Sequence, residues 1–404
     1  MKLTDLDIIV AANPPPGHGG RYFIFVKLTT DSGMVGWGEC YAATVGPAAM
    51  RAVIADVFAR HFEGANPENV ERLFRRVYSA GFTQRPDPTV MGAFSGLEIA
   101  CWDLIGQDRG RPIHALLGGR VQERLRAYTY LYPDPGEDAA AFYANPDRAA
   151  AAAAACVAQG FTAVKFDPAG PYTVMGGHQP LPQDLTRAAA FCTRIRDAVG
   201  DAADLLFGTH GQFTAAGALR MAETIAPARP LWFEEPVPPD DAAAMAQVTA
   251  RSAVPVAAGE RLTTRAEFVP LFAARALAVA QPALGRVGGI WEAKKVAILA
   301  ESAGAQVAPH LYAGPILWAA NLHLAASLPN FLIAETIGTG AAHADLLTRP
   351  IRYDAGFLEV PTEPGLGTAL NEDVARKRPY TDDPLHLEMQ DAPHLPGGAP
   401  FAGG

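Results

Sequence analysis

Cysteine is scarce in this 404-residue sequence, and the four present, Cys40, Cys101, Cys156 and Cys192, form neither a CxxC pair nor any metal-ligand spacing. That excludes a disulfide framework or a cysteine-built metal module, and the thiols are expected as small buried hydrophobes. Cationic excess is missing too: 33 Lys and Arg against 42 Asp and Glu leave a net charge of −9. Nucleic acid and anionic membrane both select for basic surfaces, so neither is expected as a partner. No apolar run reaches the ~18 residues of a membrane span, and no basic segment leads into an apolar one at the N-terminus. A cytoplasmic protein is the expectation.

What is present is core-forming material, 49% apolar against 19% charged. The length suits one α/β barrel of about 250 residues plus a smaller domain. Residues 1–45 alternate in period two (KLTDLDIIV, RYFIFVKLTT, then MVGWGEC after the turn DSG) and predict an antiparallel meander. NPPPGHGG at 13–20 interrupts it as a candidate lid. From 46 to 118 the period becomes helical, ending in VMGAFSGLEIACWDLIGQDRG, so strands followed by helices make an α+β first domain.

From LLGGR (116–120) onward, short apolar runs alternate with helical stretches. YTYLY, FTAVKF, DLLFG, PLWFEE, VPVAAGE, ALAVAQ, AQVAP and FLIAE are eight strands, and eight parallel strands with crossovers close into a barrel. IRYDAGFLEVPTEPGLG reads as a hairpin rejoining the first domain, and the Pro/Gly-rich stretch from Tyr380 as a disordered tail or an arm along a neighbour. The expected division is 1–120, 121–340 for the barrel, and 341–404 returning to the first domain. A symmetric homo-oligomer is expected.

Candidate chemistry falls at strand ends, where barrels keep their sites. From Gly208, two residues before His210, Glu234 and Glu260 follow at intervals of 26 residues, one strand plus one crossover helix. Two carboxylates and an imidazole converging out of water call for a cation, so His210, Glu234 and Glu260 are candidate ligands of Mg²⁺ or Mn²⁺. Glu235, adjacent to Glu234, must point the other way. Lys165, beside such a metal, has the chemistry of a general base, with Asp167 on the same face. PAGPYTVMGGHQP is too long for a simple turn and offers Tyr172 and His178 as substrate contacts. His310 ends the seventh barrel strand and Glu335 the eighth. Lys165 and His310, from opposite sides of the barrel, are placed to flank a substrate.

The ordered set VGWGE, WDLIG with LLGG, VKFD, WFEEP, AAGE, GRVGG, the PH at 309–310 and PGLG resembles the enolase superfamily, mandelate racemase-like branch, over nearly the whole chain. The resemblance implies a (β/α)7β TIM-like barrel with an α+β capping domain, Mg²⁺ on three strand-end carboxylates, and abstraction of the proton α to a substrate carboxylate. It makes Glu234 and Glu260 the second and third ligands, His310 the acid/base, Glu335 the electrophile, and Lys165 the first lysine of a KxK. Three positions depart from the pattern. Gly208 replaces the first ligand, an Asp; Asp167 replaces the second lysine; and Ala283 replaces the Asp that orients the histidine. His210 is then the substitute ligand, and His310 is expected to act as an acid.

Dehydration of a sugar acid to a 2-keto-3-deoxy acid needs one base and one acid, and is the expected reaction. Lactone cycloisomerisation, with Arg286 as an extra cation, and racemisation or epimerisation are the alternatives within the superfamily. A binding or scaffold barrel that has lost its metal is the alternative of another class, carried by Gly208.

Overall fold

The computed structural model describes residues 1–396 apart from 43, 171 and 342. The N-terminal meander forms as expected: β1 (Leu3–Ala12), β2 (Tyr22–Thr30) and β3 (Val35–Cys40) make one antiparallel sheet. Helices α1 (Pro47–Val57) and α3 (Pro88–Asp108) pack on it, and α2 (Val70–Ser79) packs on α3. Asp87 starts α3 by accepting from Thr89 N and Val90 N, and apolar residues on every side of the helix bury it between β3 and the barrel.

The approach of β3 to α3 is closer than any side chain allows. A Cβ at Gly38 would lie 1.9 Å from Gly96 O, and one at Gly96 would lie 2.3 Å from Cys40 Sγ. Gly38→Ala is therefore expected to destabilise the protein by about 1–3 kcal/mol or more through overpacking. Gly81→Ala, whose Cβ would meet only Thr83 Oγ1 at 3.7 Å, should leave the thermal unfolding midpoint in place.

The barrel strands are β4 (Arg124–Tyr130), β5 (Ala163–Phe166), β6 (Asp204–Phe207), β7 (Trp232–Glu234), β8 (Val256–Ala258), β9 (Val279–Ala280), β10 (Gln306–Val307) and β11 (Ala334–Thr336). They pair in parallel and in order from β4 to β10, with β11 on the other side of β4. Val307 closes the ring by bonding Asn330 O and Leu332 N. A helix of ten or more residues fills each of the seven crossovers, from Pro146–Ala158 to Pro315–Ala326, so the architecture is (β/α)7β with a capping domain.

Buried acids of the capping domain tie it to the barrel. Glu39 accepts from Gly314 N and Leu317 N at 2.5 and 2.9 Å, and Glu98 from Ile290 N and Trp291 N at 2.7 and 2.9 Å. Each carboxylate satisfies the first free N–H groups of a barrel helix and meets its positive end. Asp103 accepts from Trp37 N and Leu366 N, both at 2.9 Å. The motifs VGWGE and WDLIG thus supply acids that hold the capping domain in place.

Two expectations about the C-terminal part change. The hairpin β12 (Tyr353–Asp354) and β13 (Phe357–Glu359) pairs with β4 of the barrel, and only the chain beyond it returns to the capping sheet, where Ala12 N donates to Arg378 O. The described tail lies along its own chain: Tyr380 N donates to Val10 O, Gln390 N to Tyr172 O, and His394 Nε2 lies 2.6 Å from Asp184 Oδ2. The four cysteines are free thiols, three of them buried. No helix among the described residues is long and apolar enough to cross a membrane.

Candidate active site

Side chains alternate along a strand, so residues two apart face the same way. A layer of apolar side chains fills the barrel interior, including Ala163, Leu206, Trp232, Val279, Ala308 and Ile333. Two residues further along the same strands, toward their C-terminal ends, stand Lys165, Gly208, Glu234, Gln281, His310 and Glu335. The apolar layer is the floor and the polar layer the site. Five of these six carry polar side chains, each at most 9% exposed.

Lys165 is the hub. Its Nζ donates to Glu234 Oε1 at 2.5 Å and lies 3.8 Å from Glu335 Oε1. Glu234 Oε2 accepts from Trp232 Nε1 and Gln281 Nε2, both at 2.9 Å. Burial alone would push the Glu234 carboxyl up, but three donors on its two oxygens favour the carboxylate. Burial likewise opposes the charge on Lys165, and Glu234 and then Glu335 override it, holding the ammonium well above its ordinary pKa. A lysine so held is a cation in this arrangement.

Glu260, just beyond β8, lies between two imidazoles: His210 Nε2 is 3.7 Å from Oε1 and His310 Nε2 is 3.5 Å from Oε2. The two histidines differ in charge. Burial works against His210, but Glu260 and Asp167, whose Oδ2 is 3.4 Å from Nδ1, raise its pKa. His210 is also the most open of the group, with 28% of its side chain exposed, which eases its charging. Burial drives His310 down to about 3 despite Glu260, with Lys165, Arg286 and His210 adding repulsion, so its ring is neutral at neutral pH. Against its burial, Glu260 is held well below the ordinary carboxylate range, by the adjacent His310 first and then by His210, Lys165 and Arg261. Glu335 accepts from Leu311 N at 2.6 Å, and burial pushes its carboxyl up to about 7.

The sequence-derived residues fare differently. Lys165, Asp167, His210, Glu234, Glu260, His310 and Glu335 come together as expected of strand-end residues. Tyr172 packs edge-on against His210 at 4.4 Å between centroids. Arg286 donates to Glu260 O at 2.9 Å and lies over the Tyr41 ring at 4.5 Å. His178 instead sits with its ring against Phe213 and His394, on the flank of the loop. Glu235 points away from the barrel mouth to an ion pair with Arg261 at 2.9 Å and holds a φ of 38°.

A divalent metal on His210, Glu234 and Glu260 does not fit this arrangement. Lys165 Nζ, Trp232 and Gln281 engage both Glu234 oxygens, whereas His210 and Glu260 face each other. Among the described residues no three His, Cys, Asp or Glu form a group able to hold a metal ion.

Residues missed from sequence complete the enclosure. Gln281 follows the same two-residue step as Glu234 and was within reach of that rule. Tyr41 and His386 pack together at 4.9 Å, and His386 Nε2, on the tail, donates to Tyr312 O at 3.2 Å. His18 of the 13–20 loop stacks on Tyr132 at 3.8 Å. The loop thus reaches from the capping sheet to the end of β4, as a lid would.

Family models match both parts of the chain: "Enolase C-terminal domain-like" over residues 147–374 and "Mandelate racemase / muconate lactonizing enzyme, N-terminal domain" over 18–118. D-galactonate dehydratase of Verminephrobacter eiseniae is 32% identical over 94% of each chain. D-gluconate dehydratase of Thermoproteus tenax is 31% identical over 96% of this chain and 75% of its own. Among solved structures, a mandelate racemase/muconate lactonizing enzyme-like protein from Roseovarius sp. TM1035 superposes with a TM-score of 0.95 at 62% identity, covering 97% of this chain and 99% of that one.

Proposed function

The chain belongs to the mandelate racemase/muconate lactonizing enzyme family of the enolase superfamily, and from that premise we propose that it is a hydro-lyase acting on a sugar acid. The observation that carries this reading is the pair of imidazoles flanking Glu260 at 3.7 and 3.5 Å, whose surroundings push them in opposite directions, His210 up and His310 down. Such divergence assigns base and acid. His310 takes the proton from C2, next to the substrate carboxylate. The Lys165 ammonium and the protonated Glu335 carboxyl face the developing enediolate and stabilise its charge. His210 delivers a proton to the departing C3 hydroxyl, water leaves, and the enol becomes a 2-keto-3-deoxy acid.

Members of the superfamily generally bind Mg²⁺. The donors here do not fit that ion, so every step uses this chain's own side chains. A racemase would need a second base on the other face of C2. Lys165, fixed between Glu234 and Glu335, is not one. The named relatives add weight to dehydration, and the buried atoms Asp167 Oδ1 and Arg286 Nε, without a hydrogen-bond partner among the described residues, favour a ligand over a bare scaffold. A panel of aldonic and aldaric acids, scored for semicarbazide-reactive keto acid, tests the reading. At least one member should react, and silence from folded protein across the panel would remove it.

The pH dependence follows from the same groups. Glu335 must be protonated to donate, so kcat/KM should fall as pH rises through about 7. With His310 titrating near 3, the acid side should stay flat down to about pH 4. Glu335→Gln keeps a donor that cannot ionise, so the limb near pH 7 should disappear and only the limb set by loss of the His210 proton should remain. An unchanged limb in Glu335→Gln would assign it to another group.

A further inference from the structure

We propose that Lys165 is the resident cation of this site, its ammonium taking the place of a divalent metal that the chain does not bind. Three observations carry this. The polar layer of the barrel has a gap at Gly208, and the Lys165 side chain fills it: a Cβ at position 208 would stand 3.3 Å from Lys165 Cε and 3.5 Å from Asp167 Cβ. A carboxylate side chain there and the lysine would compete for one space. Gly208 removes an acid from this layer, while Lys165, a lysine the family pattern also has, keeps its positive charge beside Glu234 and Glu335.

The second observation is the coordination of that charge. Nζ reaches Glu234 at 2.5 Å and Glu335 at 3.8 Å, so a cation already stands between strand-end acids on β7 and β11. An ion entering beside it would meet like charge at a few ångströms in a site of low dielectric, where repulsion is strong. Thirdly, Glu234 Oε2 already accepts from Trp232 and Gln281, which leaves Oε1, the oxygen that Lys165 holds, as the one an entering ion would have to share with the ammonium.

The inference does not depend on which reaction the site performs, and its test reads binding alone. Purified wild-type protein is dialysed against EDTA, then titrated with Mn²⁺ and followed by electron paramagnetic resonance, with metal content measured by mass spectrometry. No stoichiometric Mn²⁺ is expected at millimolar concentration. The double variant Lys165→Ser/Gly208→Asp removes the resident charge and restores a carboxylate. It should bind Mn²⁺ at least about tenfold more tightly than wild type, a difference of ~1.4 kcal/mol. Gly208→Asp alone should not, because Lys165 still fills the space. Circular dichroism reports whether each variant is folded. If the double variant fails to fold, the wild-type titration decides by itself. One equivalent of Mn²⁺ bound by wild type and lost in Glu234→Gln would overturn the proposal, as would equal tightening by Gly208→Asp alone.

Discussion

His310→Asn is expected to abolish exchange of the substrate C2 proton with solvent deuterium and to lower kcat/KM by about 10²–10⁴-fold, the contribution of a general base. His210→Asn should do the opposite at C2: exchange continues, while loss of the C3 hydroxyl stops for want of a proton donor. The argument rests on environment. Both rings lie within 4 Å of the same carboxylate, yet His310 is 7% exposed and borders Lys165 and Arg286, whereas His210 opens to solvent and adds Asp167 as a partner. Asn preserves much of the size and hydrogen bonding of the ring, so folding should persist in both variants. Exchange surviving in His310→Asn and vanishing in His210→Asn would reverse the two roles.

The second large effect is expected at Lys165. Removing one partner of a buried ion pair leaves the other uncompensated, so Lys165→Met should lower stability by about 3–5 kcal/mol and abolish activity. Glu234 is fully buried and would be left with two neutral donors. Adding Glu234→Gln should recover part of the stability, since it removes the stranded charge. A double-mutant cycle in urea should return a coupling of about 0.5–3 kcal/mol, the range for residues in contact. Coupling near zero would mean that Lys165 is not held by Glu234, and would return it to the role of a mobile base.

The fold was legible because its signals are periodic. Alternation over 1–45 set the meander, and eight apolar runs separated by helical stretches set the barrel. Alternation does not say which edge a strand will join, and so the hairpin at 353–359 was assigned to the capping domain although it pairs with β4. The tail beyond Tyr380 has no period to read. Its His386, buried under Tyr41 and Tyr312, was visible only in three dimensions.

In the site, strand register located the residues but not their charges. Alternation along the strand set Glu234 and Glu235 pointing opposite ways, and in the structure Glu234 turns inward and Glu235 meets Arg261. The roles of Lys165, His210 and His310 depended on distances of a few ångströms to carboxylates from other strands, which spacing does not encode. A metal was the simplest answer to converging acids. Gly208 was recognised as a departure, but the side chain that fills its space comes from the neighbouring strand β5.

The central claim is that one neutral and one protonated imidazole on the two sides of Glu260 expel water from a sugar acid. Wild-type enzyme incubated in deuterium oxide with the aldonic and aldaric panel, followed by nuclear magnetic resonance, tests it most directly. The claim predicts a 2-keto-3-deoxy acid that gains deuterium at C3 as the enol is protonated. Recovery of substrate deuterated and inverted at C2, with no keto acid formed, would contradict it and make the chain an epimerase.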